Sequence, residues 1–207
     1  MILSFSHKFA FVAVPRTGTH AVREHLRPHL AGSDWEQCAR YERRAFPVPA
    51  LAALRHGHLT AGQVQPHLVP GLWDTLYTFG FVRDPLDRFL SCCFFLHRKS
   101  DAMERAPAQT MATMLEKARE ASQLLLKPQW PLLCSEAGAP MVNHIARYEN
   151  YAAEFDAIAS KIGLHARMKR VVNASPRNRA VEIPKAIKDG VAQAYSRDYE
   201  LFGYDLP

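Results

Sequence analysis

The run Phe9-Ala-Phe-Val-Ala-Val-Pro-Arg-Thr-Gly-Thr-His-Ala-Val-Arg-Glu-His-Leu26 leaves a chain few ways to fold. Phe9 to Val14 is unbroken apolar and carries two valines. It predicts a short strand covered on both faces, the habit of a central parallel sheet. Pro15 stops the strand. Thr17, Gly18 and Thr19 then make a tight turn, where Gly18 supplies backbone angles that other residues avoid. A helix follows, with Val22, Leu26 and Leu30 on one face. Strand, small-residue turn and helix together aim backbone N–H groups and the positive end of a helix dipole at an anion. Arg16 and two hydroxyls lie in the same turn. The stretch reads as a cradle for phosphate or sulfate; the alternative is an ordinary turn with an exposed arginine. A Walker loop is excluded, because no Gly-Lys-Ser/Thr occurs, and one glycine is too few for a dinucleotide fingerprint.

A second strand-to-helix junction lies downstream. Leu76-Tyr-Thr-Phe-Gly-Phe-Val82 is aromatic and β-branched and predicts a strand. Asp84 fits an N-cap and Pro85 the first helical position, with the helix running through Phe89, Leu90, Cys93 and Phe94 towards His97. Arg83 therefore ends a strand, where ligands bind in open α/β sheets.

The other segments fill in an α/β pattern. Ala31 to Pro49, with Arg40 to Arg44, reads as a solvated helix face, and Leu51 to Leu54 as a short helical turn. Ala106 to Leu126 predicts a helix whose Met111, Met114, Leu115, Ala118, Ser122 and Leu125 form a core stripe. Met141 to Tyr148 reads as a third strand. Glu149 to Ile162 reads as a helix stopped by Gly163. Lys169 to Arg179 is a basic loop. A last helix starts near Pro184 and carries Ile187, Val191 and Tyr195 inward, with Gly190 at some cost. The expectation is one α/β domain over residues 1–207, with a central, mainly parallel sheet flanked by helices.

Bulk properties narrow the function. A length of 207 residues and a hydrophobic share of 48% fit a real core, and no apolar run reaches the length of a membrane span. Met1 to Lys8 lacks a signal-peptide pattern. Four cysteines without C-x-x-C spacing suggest free thiols in a reducing, cytoplasmic setting. A net charge of +6 suits an anionic ligand but is too modest to imply nucleic acid.

The two junctions together resemble the PAPS-dependent sulfotransferases, in particular the branch of carbohydrate enzymes such as heparan sulfate 2-O-sulfotransferase. That family's 5′-phosphosulfate loop reads Pro-Lys-x-Gly-[Ser/Thr]-[Ser/Thr], and Pro15-Arg-Thr-Gly-Thr-His20 is similar to it. Its 3′-phosphate motif resembles Phe81-Val-Arg-Asp-Pro-Leu-Asp-Arg-Phe-Leu-Ser91. The resemblance continues through His56-Gly-His58, Pro128-Gln129, Ala146 to Asn150, Val172 to Ser175 and Asp198 to Tyr204.

The resemblance implies a nucleotide-kinase-like, P-loop-type sulfotransferase fold and PAPS as sulfate donor, with no metal expected. Pro15, Arg16, Thr17, Gly18, Thr19 and His20 would hold the 5′ end. Arg83, Ser91 and Ser175, with Arg177 in support, would hold the 3′-phosphate. Arg16 stands where a lysine is usual and would stabilise the leaving phosphate; His20 stands where a hydroxyl is common. His58 would be the base that takes the acceptor's proton, with His56 in support. The acceptor would be a small molecule or carbohydrate.

Other readings of His56-Gly-His58 are a metal pair, since residues two apart on a strand share a face, and an uninvolved loop. Two other functions are open: an ATP-dependent small-molecule kinase, and a non-catalytic nucleotide- or RNA-binding module. The missing Gly-Lys-Ser/Thr opposes the first. Aromatics in buried-looking runs, rather than interleaved with basic residues, oppose the second.

Overall fold

The computed structural model describes residues 1–38, 45–164 and 181–207. Its strands are β1 (Ile2–Ser4), β2 (Phe9–Val12), β3 (Trp35–Glu36), β4 (Tyr77–Val82) and β5 (His144–Arg147). Its α-helices are α1 (Thr19–Leu26), α2 (Pro49–Ala52), α3 (Ala61–Val64), α4 (Pro85–Leu96), α5 (Ala102–Arg105), α6 (Pro107–Arg119), α7 (Trp130–Leu133), α8 (Tyr151–Lys161), α9 (Lys185–Ala194) and α10 (Ser196–Phe202). The chain divides into two compact units, Met1–Val82 with Trp130–Val171, and Arg83–Gln129 with Val172–Pro207.

The first unit holds the sheet, in the order β3-β1-β2-β4-β5. β2, β4 and β5 run parallel, with Val12 opposite Gly80 and Val82 opposite Arg147. β1 pairs antiparallel with both β2 and β3. The sheet is therefore mixed rather than mainly parallel. Its parallel half was predicted; β1 and β3 were not. β3 also replaces part of the solvated face expected over Ala31 to Pro49. Arg40 to Arg44, in the same stretch, lie outside the described residues.

Alternation builds the core. Phe9 and Phe11 on β2 and Phe79 and Phe81 on β4 are fully buried and share one cluster with Val22 and Leu26 of α1 and Phe155, Ile158 and Ala159 of α8. The Phe11 and Phe79 rings stack at 5.3 Å. Burial of each such ring contributes about 1.5–3 kcal/mol. Leu30 joins the same cluster although α1 has already tightened into a 3-10 turn at Arg27–His29. On β4, Gly80 leaves room for the Leu133 side chain and the Val12 carbonyl, which a Cβ would strike. α8 stops where Gly163 turns left-handed at φ 70°.

The second unit is helical. Asp84 caps α4 by accepting the Asp87 N–H at 2.7 Å, and Pro85 takes the first helical position. Met111, Met114 and Leu115 of α6 pack with Phe89 and Cys92 of α4 and with Ile187 and Val191 of α9. Gly190 is the close-approach point of α6 and α9, since a Cβ there would meet Leu115. The predicted helix over Ala106 to Leu126 breaks after Arg119 and resumes as a short 3-10 turn at Leu124–Leu126.

Candidate functional site

The turn between β2 and α1 is built around backbone carbonyls and left-handed residues. Pro15 is buried. Arg16 adopts φ 66° and Gly18 φ 77°. Two left-handed residues so close together fold the chain back tightly enough for α1 to start at Thr19. Gly18 costs nothing there, but Arg16 carries strain of about 1–3 kcal/mol. Gly18 is also the N-cap of α1 and brings no side chain to the first turn, which contains no acidic residue. Helix-terminal N–H groups without a side-chain cap are the donors an anion uses.

The two threonines and His20 differ in what they offer. The Thr17 hydroxyl is buried and donates to the Val14 carbonyl at 2.9 Å, so it closes the turn from inside. Thr19 is half-buried at the head of α1. His20 is exposed, and its Nε2 lies 2.9 Å from Glu24 one turn along the helix. Tyr151, at the start of α8, donates its hydroxyl to the Gly18 carbonyl at 2.6 Å. Its ring occupies the space a Cβ on Gly18 would need. Burial pushes the Tyr151 phenol above its ordinary pKa, so it is a donor across the working range. Sequence reasoning missed Tyr151, because nothing in its spacing links it to a turn more than a hundred residues earlier.

His58 belongs to the same junction. Its Nδ1 lies 2.7 Å from the carbonyl oxygen of Ala13, just before the turn. A carbonyl can only accept, so Nδ1 carries the proton and Nε2 keeps its lone pair. Burial holds the imidazole down at about 4; the Ala13 bond opposes this, and the Met1 amino group, Arg23 and His56 add repulsion. His58 is therefore neutral near pH 7. His56 stacks on it at 6.4 Å and accepts the His58 backbone N–H at its Nδ1, 3.3 Å away. Between the histidines, Gly57 fits under Gln37 and Arg23, where a Cβ has no room.

In the second unit, Arg83 is nearly fully buried and its Nε donates to Asp87 at 2.6 Å. Its backbone is gripped on both sides by one carboxamide. Gln129 accepts the Arg83 N–H at 3.0 Å and donates to the Arg83 carbonyl at 2.8 Å. The Gln129 N–H in turn donates to both carboxylate oxygens of Asp198. Gln129 and Asp198 were noticed in sequence only as shared letters; their work is to hold Arg83. Ser91 is buried two turns into α4. Arg88 is fully buried and donates to the Leu125 and Lys127 carbonyls at 3.0 and 2.8 Å, with Tyr195 stacked under its guanidinium at 5.2 Å. It staples the segment 125–127 to α4.

Ser175 and Arg177 lie outside the described residues. Among the described residues, no cluster of three or more His, Cys, Asp or Glu could hold a metal ion, and no helix is long and apolar enough to cross a membrane.

A family model described as "Sulfotransferase family" matches residues 1–205. No curated protein and no solved structure gives a match.

Proposed function

Because the chain belongs to the sulfotransferase family, we propose that it moves a sulfuryl group from PAPS to the hydroxyl of a carbohydrate or other small acceptor, with His58 as base and Arg16 at the leaving phosphate. Family membership supports sulfuryl transfer and, with it, a sulfate donor and a small-molecule acceptor. The observation that carries the finer reading is the bond from His58 Nδ1 to Ala13. It ties a neutral imidazole with an available Nε2 lone pair to the strand end that leads into Arg16.

The residues present fit an anionic donor. An uncapped helix start at Gly18, a strained arginine beside it and a hydroxyl at Thr19 offer positive charge and donors in one turn. Arg83, held by Gln129, and Ser91 are the assignments for the 3′-phosphate, on the strength of the motif they share with the family. PAPS brings its own leaving group, adenosine 3′,5′-bisphosphate. In the transfer, the acceptor oxygen forms a bond to sulfur while the bond from sulfur to the bridging phosphate oxygen breaks. His58 Nε2 receives the hydroxyl proton, and Arg16 stabilises the charge that gathers on the departing phosphate.

The test is a donor and acceptor screen with radiolabelled PAPS, with thermal shift by adenosine 3′,5′-bisphosphate, ATP and RNA in parallel. The reading expects label transfer to at least one sugar or alcohol and a shift with the bisphosphate well above that with ATP. Equal shifts with ATP and the bisphosphate would remove PAPS as the donor.

A further inference from the structure

We propose that Arg23 is a positioning residue for the His56-Gly57-His58 segment, holding it against the helix that begins at the anion turn; this rests on the base role given to His58 above. Arg23 lies on α1 and is almost wholly buried. Its Nη2 donates to the Gly57 carbonyl at 3.2 Å and to the Gln37 carbonyl at 3.1 Å. Its Nη1 donates to Glu36 at 2.9 Å. One guanidinium thus joins three pieces of chain: the helix after the cradle, the end of β3, and the loop that carries both histidines.

The surroundings hold this bridge from several sides. Glu36 is itself buried and is held from the other side by Arg27, whose Nε and Nη2 donate to it at 2.8–3.0 Å. Burial alone would raise the Glu36 carboxyl, but the bonds from Arg27 and Arg23 outweigh it and hold it below the ordinary range. Gln37 adds a second tie to the loop, donating to the His56 carbonyl at 3.1 Å. Gly57 is the residue that lets Arg23 come this close, since a Cβ would overlap the guanidinium. The three donors that Arg23 spends on different acceptors need the planar fork of a guanidinium; an ammonium cannot serve them in the same plane.

The ionisable groups facing His58 are Arg23, His56 and the Met1 amino group, the last itself held well below its ordinary pKa by burial. Loss of Arg23 both loosens the loop and removes one of them, and both effects favour the imidazolium. The experiment uses the full chain as wild type, Arg23→Gln and Arg23→Lys, with Arg105→Gln as a charge control at an exposed pair with Asp101. Ring-labelled histidine NMR reads the tautomer and titration of His58. Steady-state kinetics with PAPS read kcat, and calorimetry reads adenosine 3′,5′-bisphosphate affinity.

Arg23→Gln should cut kcat on the order of 10²-fold, the scale for a misplaced catalytic group, while bisphosphate affinity stays within a few-fold. The His58 titration should move up from about 4 towards the free value of ~6.5. Arg105→Gln should match the wild type. Arg23→Lys keeps the charge and loses the fork, so it should lose the pure Nδ1-protonated tautomer and much of kcat. It decides the matter if Arg23→Gln does not fold. A folded Arg23 variant with an unchanged His58 tautomer and titration would overturn the proposal. Wild-type protein that transfers no sulfate would overturn the base role instead, while the NMR arm still reports whether Arg23 holds the loop.

Discussion

Arg16 keeps a left-handed backbone at φ 66°, which a residue with a side chain pays for with about 1–3 kcal/mol of strain. Glycine would relieve that strain at an entropic cost of about 0.5–1 kcal/mol. Arg16→Gly should therefore be at least as stable as the wild type in denaturant melts, yet nearly inactive. Arg16→Ala should lower kcat more than it weakens bisphosphate binding, and Arg16→Lys should keep much of the rate, because it restores a cation at the same place. An Arg16→Gly variant that turned over normally would detach the strain from the chemistry. Gly18 is the opposite case. Gly18→Ala forces an alanine to φ 77° and into the Tyr151 ring, so a loss of roughly 1–3 kcal/mol is expected in thermal melts.

At the scale of elements, the junction of β4 and α4 was legible because its rules are local. Asp84 and Pro85 are neighbours in sequence, and a cap followed by a first-turn proline needs no distant partner. The same holds for the methionine stripe of α6 and the Gly163 stop of α8. β1 and β3 were not legible, since three and two residues cannot display a period and their pairing depends on chain far away. Glu36 was hidden for a related reason. A charged residue in a mixed stretch reads as solvated until Arg23 and Arg27 are seen to enclose it. Gln129 shows what this means for the candidate site: the letters of the Arg83 motif were visible, but the carboxamide that fixes the backbone sits 46 residues on. Gln129→Ala should leave the buried N–H and carbonyl of Arg83 without these partners, at about 1–3 kcal/mol for each unsatisfied group. Differential scanning calorimetry would read it; an unchanged melting temperature would mean that the clamp is dispensable.

For the whole molecule, acid sensitivity has a definite sign. The His58 pKa is lowered in the folded chain, so the unfolded chain binds its proton first as the pH falls. Stability from this group is intact above the free histidine value of ~6.5 and drains away as the pH drops towards about 4. Glu36 and Asp34 are also held below their ordinary values, Glu36 by its arginines and Asp34 by bonds from Ser6, Ala31 and Ser4 that outweigh its burial. Their contributions are present above the usual carboxylate range and are lost below it. Urea melts from pH 7 to 4 should therefore show falling stability, and His58→Ala should flatten the upper part of that slope.

In the proposed role of base, the same imidazole would tie stability to the reaction. The free-enzyme acid limb of kcat/KM should lie near 4 rather than ~6.5, because His58 stays neutral over that interval. The most direct measurement is the rate of label transfer from PAPS at pH 7 by wild type and His58→Ala, with adenosine 3′,5′-bisphosphate affinity measured on both. The expected result is transfer by the wild type, a fall on the order of 10²–10⁴ in kcat for the variant, and bisphosphate binding that hardly changes. A folded His58→Ala protein that transfers sulfate within a few-fold of the wild-type rate would contradict it.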